Sequence, residues 1–446
     1  MLNMKFVFYL TTLFCVSSIQ LAAEEVTENN VGMEEVTAIP AFSTDTSINN
    51  FGFKLLKTMM KQNENNNVVI SPTGVAGLLA MTLLGSTGET YNEIAQLIGF
   101  SEDILKNRKY HEDFGSRLQA LNRNDTKTLY ANGIFVDQQS MLRQIYHSYL
   151  ERVYNGEAFA TDFKDTNQTK DLINEWVKNH TNNKIESFLR QPLPMSTKAV
   201  LINALYYSGQ WSYPFLPEYT AMLPFKAPTK EVLVDQMANF GQFNYLFSIE
   251  NGLHMIQLPY NDSVTSMYVI KPRFPKAKTI TELLDSLDFE KIDNLINQMS
   301  MKKCVVRFPK MELETSVDLK DPLKSLGVQA MFTPGVANFA VMLDANVTVN
   351  DPEENLIARI STGEGEARTL KEMLDRLVNP GVYVDSVMHE VKMTIDEYGT
   401  EAAAATSALM ARSAESFYAD SPFYMFIRNE NTKLITFSAV IYDPTN

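Results

Sequence analysis

The sequence predicts a mixed α+β fold built as one large unit. Apolar residues at helical spacing recur through the first part of the chain, whereas strand-like apolar runs crowd its second half. No fixed-period repeat and no Pro- or Gly-rich linker interrupts this pattern, which argues against a solenoid or a string of small domains. The 446 residues, 45% of them hydrophobic, have the composition of a globular protein. Length alone would allow about three domains.

Charge and side-chain inventory exclude several classes of function. At a net charge of −14, neither nucleic acid nor an anionic membrane is expected as the main partner. Five His and two Cys leave little material for a zinc centre or a disulfide scaffold. The local motifs of serine hydrolases, HExxH metalloproteases and P-loop proteins are absent, although a triad of distant residues would leave no local signature. We therefore expect no enzyme, no metal and no cofactor.

Residues 1–23 are predicted to be a secretory signal peptide. One charge, Lys5, precedes an apolar run from Phe6 to Val16, which is too short to span a bilayer and has the length of a signal core. A buried hydrophobic helix is the alternative, but an acidic stretch follows at once. Cleavage would remove Cys15 and leave Cys304 as the single cysteine of a secreted, extracellular chain.

Residues 24–45 contain six acidic residues and no basic one, and we expect them to form a disordered extension. A partner-binding tail is the alternative interpretation. The single folded domain then covers residues 46–446. Five glycosylation sequons agree with export, although each is a weak signal alone. Their asparagines are Asn124, Asn167, Asn179, Asn261 and Asn346.

The start of the domain alternates between helical and strand patterns. Apolar residues at helical spacing predict a first amphipathic helix, and residues 68–70 predict a short buried strand. Ser71, followed by proline, opens a second, very apolar helix that Gly85 ends. Thr90 and Glu93 have the spacing of a capping box, which predicts the beginning of a third helix.

The most informative segment is a run of four alanines near the C-terminus. An alanine-rich surface helix is the ordinary interpretation, but the preceding glycine and threonine are a poor start for a helix. As a strand, the segment would present only small side chains on one face, which are Thr400, Ala402, Ala404 and Thr406. Such a strand could enter a dense sheet without overpacking it, and the absence of proline keeps every N–H available for pairing.

This segment and several separated motifs resemble the serpin family. The match runs from near residue 46 to residue 446. Together the motifs are highly specific, whereas each alone would be weak. They are Asn203–Trp211, Phe308–Lys310, Asp318–Leu323, Asp396–Thr406 and Phe417–Phe423. The resemblance implies a serpin fold of three β-sheets and about nine helices, with an exposed reactive-centre loop over residues 397–420.

In that family the inhibitor is a suicide substrate. A serine protease attacks the loop, an acyl-enzyme forms, and the loop inserts as a strand into the central sheet and deforms the protease. The resemblance therefore implies a monomeric inhibitor whose partner is a target serine protease in a covalent complex. A non-inhibitory carrier, storage protein or chaperone is an alternative, as is cross-class inhibition of a cysteine protease. The proline-free alanine run favours inhibition.

The resemblance also assigns roles to individual residues. Asn203 and His389 are expected to form a hydrogen-bonded pair where the strands part, with Ser71 close by. Trp211 is expected at the top of the sheet, where insertion begins. Gly74 departs from the family pattern, which usually has serine there, so the local hydrogen-bond network stays open. The hinge residues are Glu397, Gly399, Thr400, Glu401, Ala402, Ala403, Ala404, Ala405 and Thr406, and Lys310 is expected to form a salt bridge with Glu397.

The bond that the protease attacks is less well defined. Counting forward from the hinge glycine and back from Pro422 gives different positions, so the bond lies within residues 410–414. Arg412 is the only basic residue between Gly399 and Asp420, and it suits the aspartate of a trypsin-like pocket. We therefore predict cleavage between Arg412 and Ser413. Cleavage at a neighbouring residue would indicate a chymotrypsin- or elastase-like target.

Residues 341–380 contain an insertion relative to the family pattern. Leu370, Met373, Leu374 and Leu377 predict a short amphipathic helix within it, ended near Asn379. A surface insertion that packs on itself and an exosite for a protease or receptor are the two interpretations.

A small basic cluster at residues 106–109 is a candidate for binding a sulfated glycan. Acidic neighbours and the overall charge favour a solvated face, so a glycosaminoglycan is not expected.

Overall fold

The computed structural model describes residues 43–121, 128–344, 367–374, 376–398 and 414–446, which contain ten α-helices. The helices are Thr44–Gln62 (α1), Pro72–Leu84 (α2), Gly88–Ile98 (α3), Ile104–Leu121 (α4), Gln144–Tyr154 (α5), Thr166–His180 (α6), Ile280–Asp285 (α7), Phe289–Gln298 (α8), Lys320–Ser325 (α9) and Ala367–Leu374 (α10). Within the described ranges, no helix is both long and apolar enough to cross a bilayer. The predicted signal peptide and most of the acidic extension lie outside these ranges.

In the same described ranges, sixteen strands form three sheets. The strands are Val68–Ile70 (β1), Thr128–Asp137 (β2), Met141–Leu142 (β3), Glu157–Thr161 (β4), Ala199–Tyr207 (β5), Ala221–Lys226 (β6), Glu231–Ser248 (β7), Leu253–Pro259 (β8), Thr265–Pro272 (β9), Ser300–Pro309 (β10), Met311–Asp318 (β11), Leu343–Asp344 (β12), Ser386–Ile395 (β13), Glu415–Tyr418 (β14), Phe423–Asn429 (β15) and Ile435–Ile441 (β16). The three sheets and the number of helices confirm the predicted α+β architecture.

The largest sheet has nine strands in the order β1-β16-β15-β9-β8-β7-β10-β14, with β6 paired to β7. The central sheet has five strands in the order β11-β13-β5-β2-β4, and β12 pairs with β3 in a small third sheet. In the central sheet, β5 is antiparallel to β2 and parallel to β13. The boundary between β5 and β13, here called the seam, is therefore a parallel junction beside antiparallel pairs.

Both faces of the central sheet are covered, which explains why β5 is apolar and buried along its whole length. On one face, Val200, Ile202 and Ala204 pack into a cluster with Ile173 and Val177 of α6. On the opposite face, α2 contacts β5 and β2. Side chains at the seam are therefore held between two layers of helix.

The beginning of α2 agrees with the sequence prediction, whereas that of α3 does not. Ser71 caps α2 by accepting a hydrogen bond from the Gly74 N–H at 3.1 Å. The predicted capping box at Thr90 is wrong, because α3 already begins at Gly88. Thr90 Oγ1 instead accepts from the Asn338 N–H at 3.0 Å, and Glu93 accepts from the Gln329 N–H at 2.7 Å. These polar side chains serve a long-range contact and not the helix end.

The insertion contains the predicted amphipathic helix, although α10 ends at Leu374, before Leu377. Both leucines are buried in a cluster with Ala340 and Val341, against which Ile104 also packs. The described part of the insertion therefore packs on the body of the domain, at α4 and α5, and not only on itself.

Candidate functional site

A buried imidazole spans the seam of the central sheet. His389 of β13 lies directly opposite Asn203 of β5 in the strand register, and its Nδ1 is 2.6 Å from Asn203 Oδ1. The other ring nitrogen, Nε2, accepts the Ser71 N–H at 3.1 Å. Because Nε2 accepts, the proton resides on Nδ1, which donates to Asn203. Burial lowers the pKa of His389 to about 3, so the ring is neutral at physiological pH.

The pair belongs to a network that joins several elements. Asn203 Nδ2 donates to Asn132 Oδ1 of β2 at 2.5 Å, and Ser71 Oγ donates to the Thr436 carbonyl of β16 at 2.8 Å. Gly74 of α2 lies against this hydrogen-bond network. A Cβ at this position would be 2.7 Å from Asn203 Nδ2 and 2.8 Å from Ser71 Oγ. The glycine that departs from the family pattern therefore leaves room for the asparagine side chain.

Trp211 holds the end of β13 at the top of the seam. Its indole is buried, stacks on Tyr260 with ring centroids 4.5 Å apart, and contacts Phe215 edge-on. Its Nε1 donates to the Asp396 carbonyl at 3.0 Å. Trp211 is thus tied to the residues that lead from β13 into the predicted loop.

Glu397 anchors the beginning of the loop. Its Oε2 is 2.9 Å from Lys310 Nζ, its Oε1 accepts from the Thr220 hydroxyl at 2.9 Å, and its carbonyl accepts from the Phe215 N–H at 2.8 Å. Burial works to raise the pKa of Glu397, but the hydrogen bonds from Lys310 and Thr220 hold it below its usual value. The side chain of Glu397 is 7% exposed, whereas that of Lys310 is 45% exposed. Solvent therefore reaches the lysine and weakens the attraction between the two charges.

The remaining loop residues lie outside the described ranges. These are the hinge residues Gly399–Thr406 and the predicted bond between Arg412 and Ser413. The described chain resumes at residue 414 and continues in β14, which pairs in parallel with β10 from Cys304 and Glu415 onward. The two ends of the loop are therefore anchored separately, one at the central sheet and the other at the nine-stranded sheet.

Three of the predicted sequon asparagines lie within the described ranges. Asn167, Asn179 and Asn261 are exposed, as glycosylation requires. Asn124 and Asn346 lie outside these ranges. Within them, no cluster of three or more His, Cys, Asp or Glu side chains is arranged to hold a metal.

Two polar residues at the site were not predicted from the sequence. Asn132 extends the seam network to β2, and its only signal in the sequence is an amide side chain in the middle of a mainly apolar strand. Glu390 follows His389 and is buried on the other face of β13, where its Oε2 has no hydrogen-bond partner among the described residues. No local sequence pattern indicates that Glu390 is buried, because its burial depends on β5 and β11, the strands that pair with β13 on its two sides.

Comparisons with known proteins agree with this geometry. The family model for Serpin (serine protease inhibitor) matches residues 46–444. Plasminogen activator inhibitor 1 of Sus scrofa is 29% identical over 402 residues, which cover 88% of this chain and 91% of that protein. Glia-derived nexin of Homo sapiens is 29% identical over 403 residues, which cover 89% and 92%.

Solved structures show the same fold. Native protease nexin-1 with heparin superposes with a TM-score of 0.74 at 25% identity, covering 90% of this chain and 99% of that one. The thyroxine-binding globulin complex with thyroxine superposes with a TM-score of 0.75 at 20% identity and the same coverage. The family model, the motifs and the three-sheet fold lead to one conclusion: the chain belongs to the serpin family.

Proposed function

We propose that this serpin is a secreted inhibitor that traps a trypsin-like serine protease by inserting its cleaved loop between β5 and β13. The main support is the parallel seam, which the Asn203–His389 pair crosses. A proline-free, alanine-rich segment follows directly after Glu397. A seam of this kind gives a new strand a place to pair on both sides.

The topology supports insertion as an antiparallel strand. β13 and β5 run in the same direction, so a chain that reverses after Glu397 would run antiparallel to both. Its N–H and C=O groups would then meet two partner strands, and its small side chains would fit between the helix layers. Entry would begin at Trp211 and Glu397 and would later separate Asn203 from His389.

The trapping step is a covalent exchange. The protease serine oxygen attacks the Arg412 carbonyl, the bond between Arg412 and Ser413 breaks, and the new amino group of Ser413 leaves with a proton. The Arg412 carbonyl is then held as an ester on the protease. Inhibition requires that the loop inserts before water hydrolyses this ester.

A complex that survives denaturation tests this proposal. The chain is mixed with trypsin, chymotrypsin and elastase and analysed by SDS gel, and we expect a stable complex with trypsin. In Thr400→Arg, a long charged side chain in the hinge should block insertion, so trypsin should cleave the loop and escape. Thr400→Ser is the matched control and should still form the complex. Cleavage by every protease without a complex would refute the inhibitor function.

The mass of the C-terminal fragment tests the predicted bond separately. Cleavage between Arg412 and Ser413 releases a peptide that begins at Ser413. A peptide that begins elsewhere within residues 410–414 would overturn the trypsin-like specificity but leave the trapping mechanism intact.

Secretion rests on residues 1–23 and on the exposed sequons. Expression in a secretory cell should release a chain whose N-terminus is Glu24, and enzymatic deglycosylation should reduce its mass. A chain retained in the cell with Met1 intact would contradict this part of the proposal.

A non-inhibitory carrier is the second candidate, and the thyroxine-binding neighbour shows that the fold supports one. The alanine-rich hinge favours inhibition, because a carrier needs no strand that fits the seam. Cross-class inhibition of a papain-like cysteine protease is the third, and adding papain to the gel assay distinguishes it.

A further inference from the structure

Two loops on the nine-stranded sheet form one continuous surface. The first is the turn between β7 and β8, and the second connects β9 to α7. They are joined where the Arg273 N–H donates to the Gly252 carbonyl at 2.8 Å, next to the paired residues Leu253 and Pro272. We call the surface of Phe247, Ile249, Arg273, Phe274 and Lys276 the loop-tip patch.

The loop-tip patch exposes large apolar side chains. Ile249 is 70% exposed, Phe274 59% and Phe247 38%. The Arg273 guanidinium lies between the two phenyl rings, with Cζ 4.5 Å from the Phe247 centroid and 4.6 Å from that of Phe274. Apolar side chains grouped in this way on adjoining loop tips indicate an interaction surface and not isolated exposed residues.

The patch is also basic in a strongly acidic protein. Residues 271–278 contain four basic residues and no acidic one. Lys271 is paired with Asp420 at 2.9 Å, but neither Arg273 nor Lys276 forms an ion pair with a carboxylate in the described ranges. Glu250, at the tip of the first loop, is the one acidic residue in residues 247–252. The patch therefore carries uncompensated positive charge.

We propose that the loop-tip patch docks on an anionic lipid surface. Ile249 and Phe274 would enter the interface between headgroups and acyl chains, while Arg273 and Lys276 would lie at the headgroup phosphates. A sulfated polysaccharide would use the two cations but would leave the apolar side chains in water. The net charge predicts no membrane as main partner, so this contact is local, moderate in affinity and sensitive to salt.

Sedimentation with lipid vesicles tests the proposal. The full chain should sediment with phosphatidylcholine vesicles that contain roughly one third phosphatidylserine, and not with phosphatidylcholine alone. Raising the salt concentration should release it. Arg273→Gln with Lys276→Gln should weaken binding about fivefold for each cation. Ile249→Ser with Phe274→Ser should weaken it by about tenfold or more.

Matched variants elsewhere control for charge and apolar area. Lys106→Gln with Lys109→Gln makes the same change of charge on α4, and Met195→Ser with Met222→Ser removes side chains that are 64% and 59% exposed. Both should bind as the unchanged chain does. Lys276→Glu alone changes the charge by the same amount as the double glutamine variant but keeps Arg273 against the two phenyl rings, and it should also weaken binding.

Three results would overturn the proposal. The first is that the chain does not bind the anionic vesicles. The second is that the loop-tip variants bind them as well as the control variants do. The third is retention on heparin–agarose that the Arg273 and Lys276 changes abolish, with no vesicle binding, which would assign the patch to a sulfated polysaccharide.

Discussion

His389 Nδ1 and Asn203 Oδ1 are joined by a 2.6 Å hydrogen bond across the seam between β13 and β5. The same imidazole accepts the backbone N–H of Ser71 at the start of α2. The neutral imidazole thus connects β13 to β5 and to the start of α2 through hydrogen bonds. A strand that enters the seam must break this contact, so its strength should control how readily the sheet opens.

We predict that His389→Ala destabilises the intact protein by about 3 kcal/mol, because it leaves the buried Ser71 N–H and Asn203 Oδ1 unsatisfied. The thermal unfolding midpoint should fall, and inhibitory activity should be lost faster on storage at 37 °C. His147→Ala is the control, since His147 makes no side-chain hydrogen bond among the described residues. Equal midpoints for His389→Ala and the unchanged chain would contradict the role of this pair.

We predict that Gly74→Ser is destabilising here, although serine is usual in the family at this position. A Cβ would approach Asn203 Nδ2 and Ser71 Oγ to less than 3 Å, so the buried amide must move. The free energy of unfolding should fall by about 1–3 kcal/mol, which would appear as a lower unfolding midpoint. Gly77→Ser in the same helix is a milder comparison, because its Cβ would lie 3.1 Å from its nearest neighbours. An unchanged midpoint in Gly74→Ser would show that the network can rearrange.

Glu390 makes stability depend on pH. Burial and the nearby carboxylate of Glu314 raise its pKa to about 7, while Arg190 and Lys392 act in the opposite direction. Both cations already pair with Glu314, at 3.0 and 3.5 Å. Between pH 4.5 and 7 the native state keeps a proton on Glu390 that the unfolded chain, with a pKa near 4.5, has released. Stability therefore falls as pH rises from 4.5 to 7 and stays low above.

Glu390→Gln tests this dependence. Between pH 5 and 8 the free energy of unfolding of the unchanged chain should decline more steeply than that of the variant. The two should differ by up to about 3 kcal/mol at the upper end of this range. Glu312→Gln on the neighbouring strand, where the side chain is 62% exposed, should keep the slope of the unchanged chain. Parallel slopes for the chain and Glu390→Gln would refute the assignment.

The Lys310–Glu397 pair has the opposite dependence. The pKa of Glu397 is held below its usual value. The pair therefore stabilises the loop anchor fully at pH values above the usual pKa, and this stabilisation is lost as pH falls through the lowered pKa. With Lys310 half exposed, Lys310→Met should reduce stability by about 1 kcal/mol or less at pH 7. The effect of Lys310→Met should become smaller as pH falls through the lowered pKa of Glu397. A larger loss at pH 3 than at pH 7 would contradict this account.

The insertion helix should contribute to packing and not to inhibition. Leu374 is buried with Val341 and Ile104, so Leu374→Ala should lower stability by about 2 kcal/mol without changing the rate of protease inhibition. Met373→Ala, at a side chain 37% exposed, should change neither quantity. A slower inhibition rate in Met373→Ala at unchanged stability would instead support an exosite.

Local signals in the sequence predicted much of the fold. Ser71 with the following proline marked α2, and the apolar run at residues 68–70 marked β1. The predicted start of α3 is wrong, because Thr90 and Glu93 have the spacing of a local cap but accept hydrogen bonds from backbone groups far along the chain. A capping motif cannot be told from a tertiary contact when only the spacing is known.

The site was harder to predict from local pattern. Asn203 and His389 meet because β5 and β13 pair in parallel across most of the second half of the chain, and no periodicity reveals such a crossover. The family motifs supplied that pairing. They did not supply the contact with Asn132 or the Glu390 Oε2 that lacks a hydrogen-bond partner, because both depend on which side chains face each other in the folded core.

The proposed inhibitory mechanism requires that the cleaved loop becomes a strand between β5 and β13. Its most direct test is the unfolding midpoint of the chain after the loop has been cut by a protease that does not form a complex, compared with the intact chain. Insertion adds a ladder of hydrogen bonds on both sides of the new strand, so the midpoint of the cut chain should rise well above that of the intact chain. A cut chain that unfolds at the same temperature, or at a lower one, would contradict this mechanism.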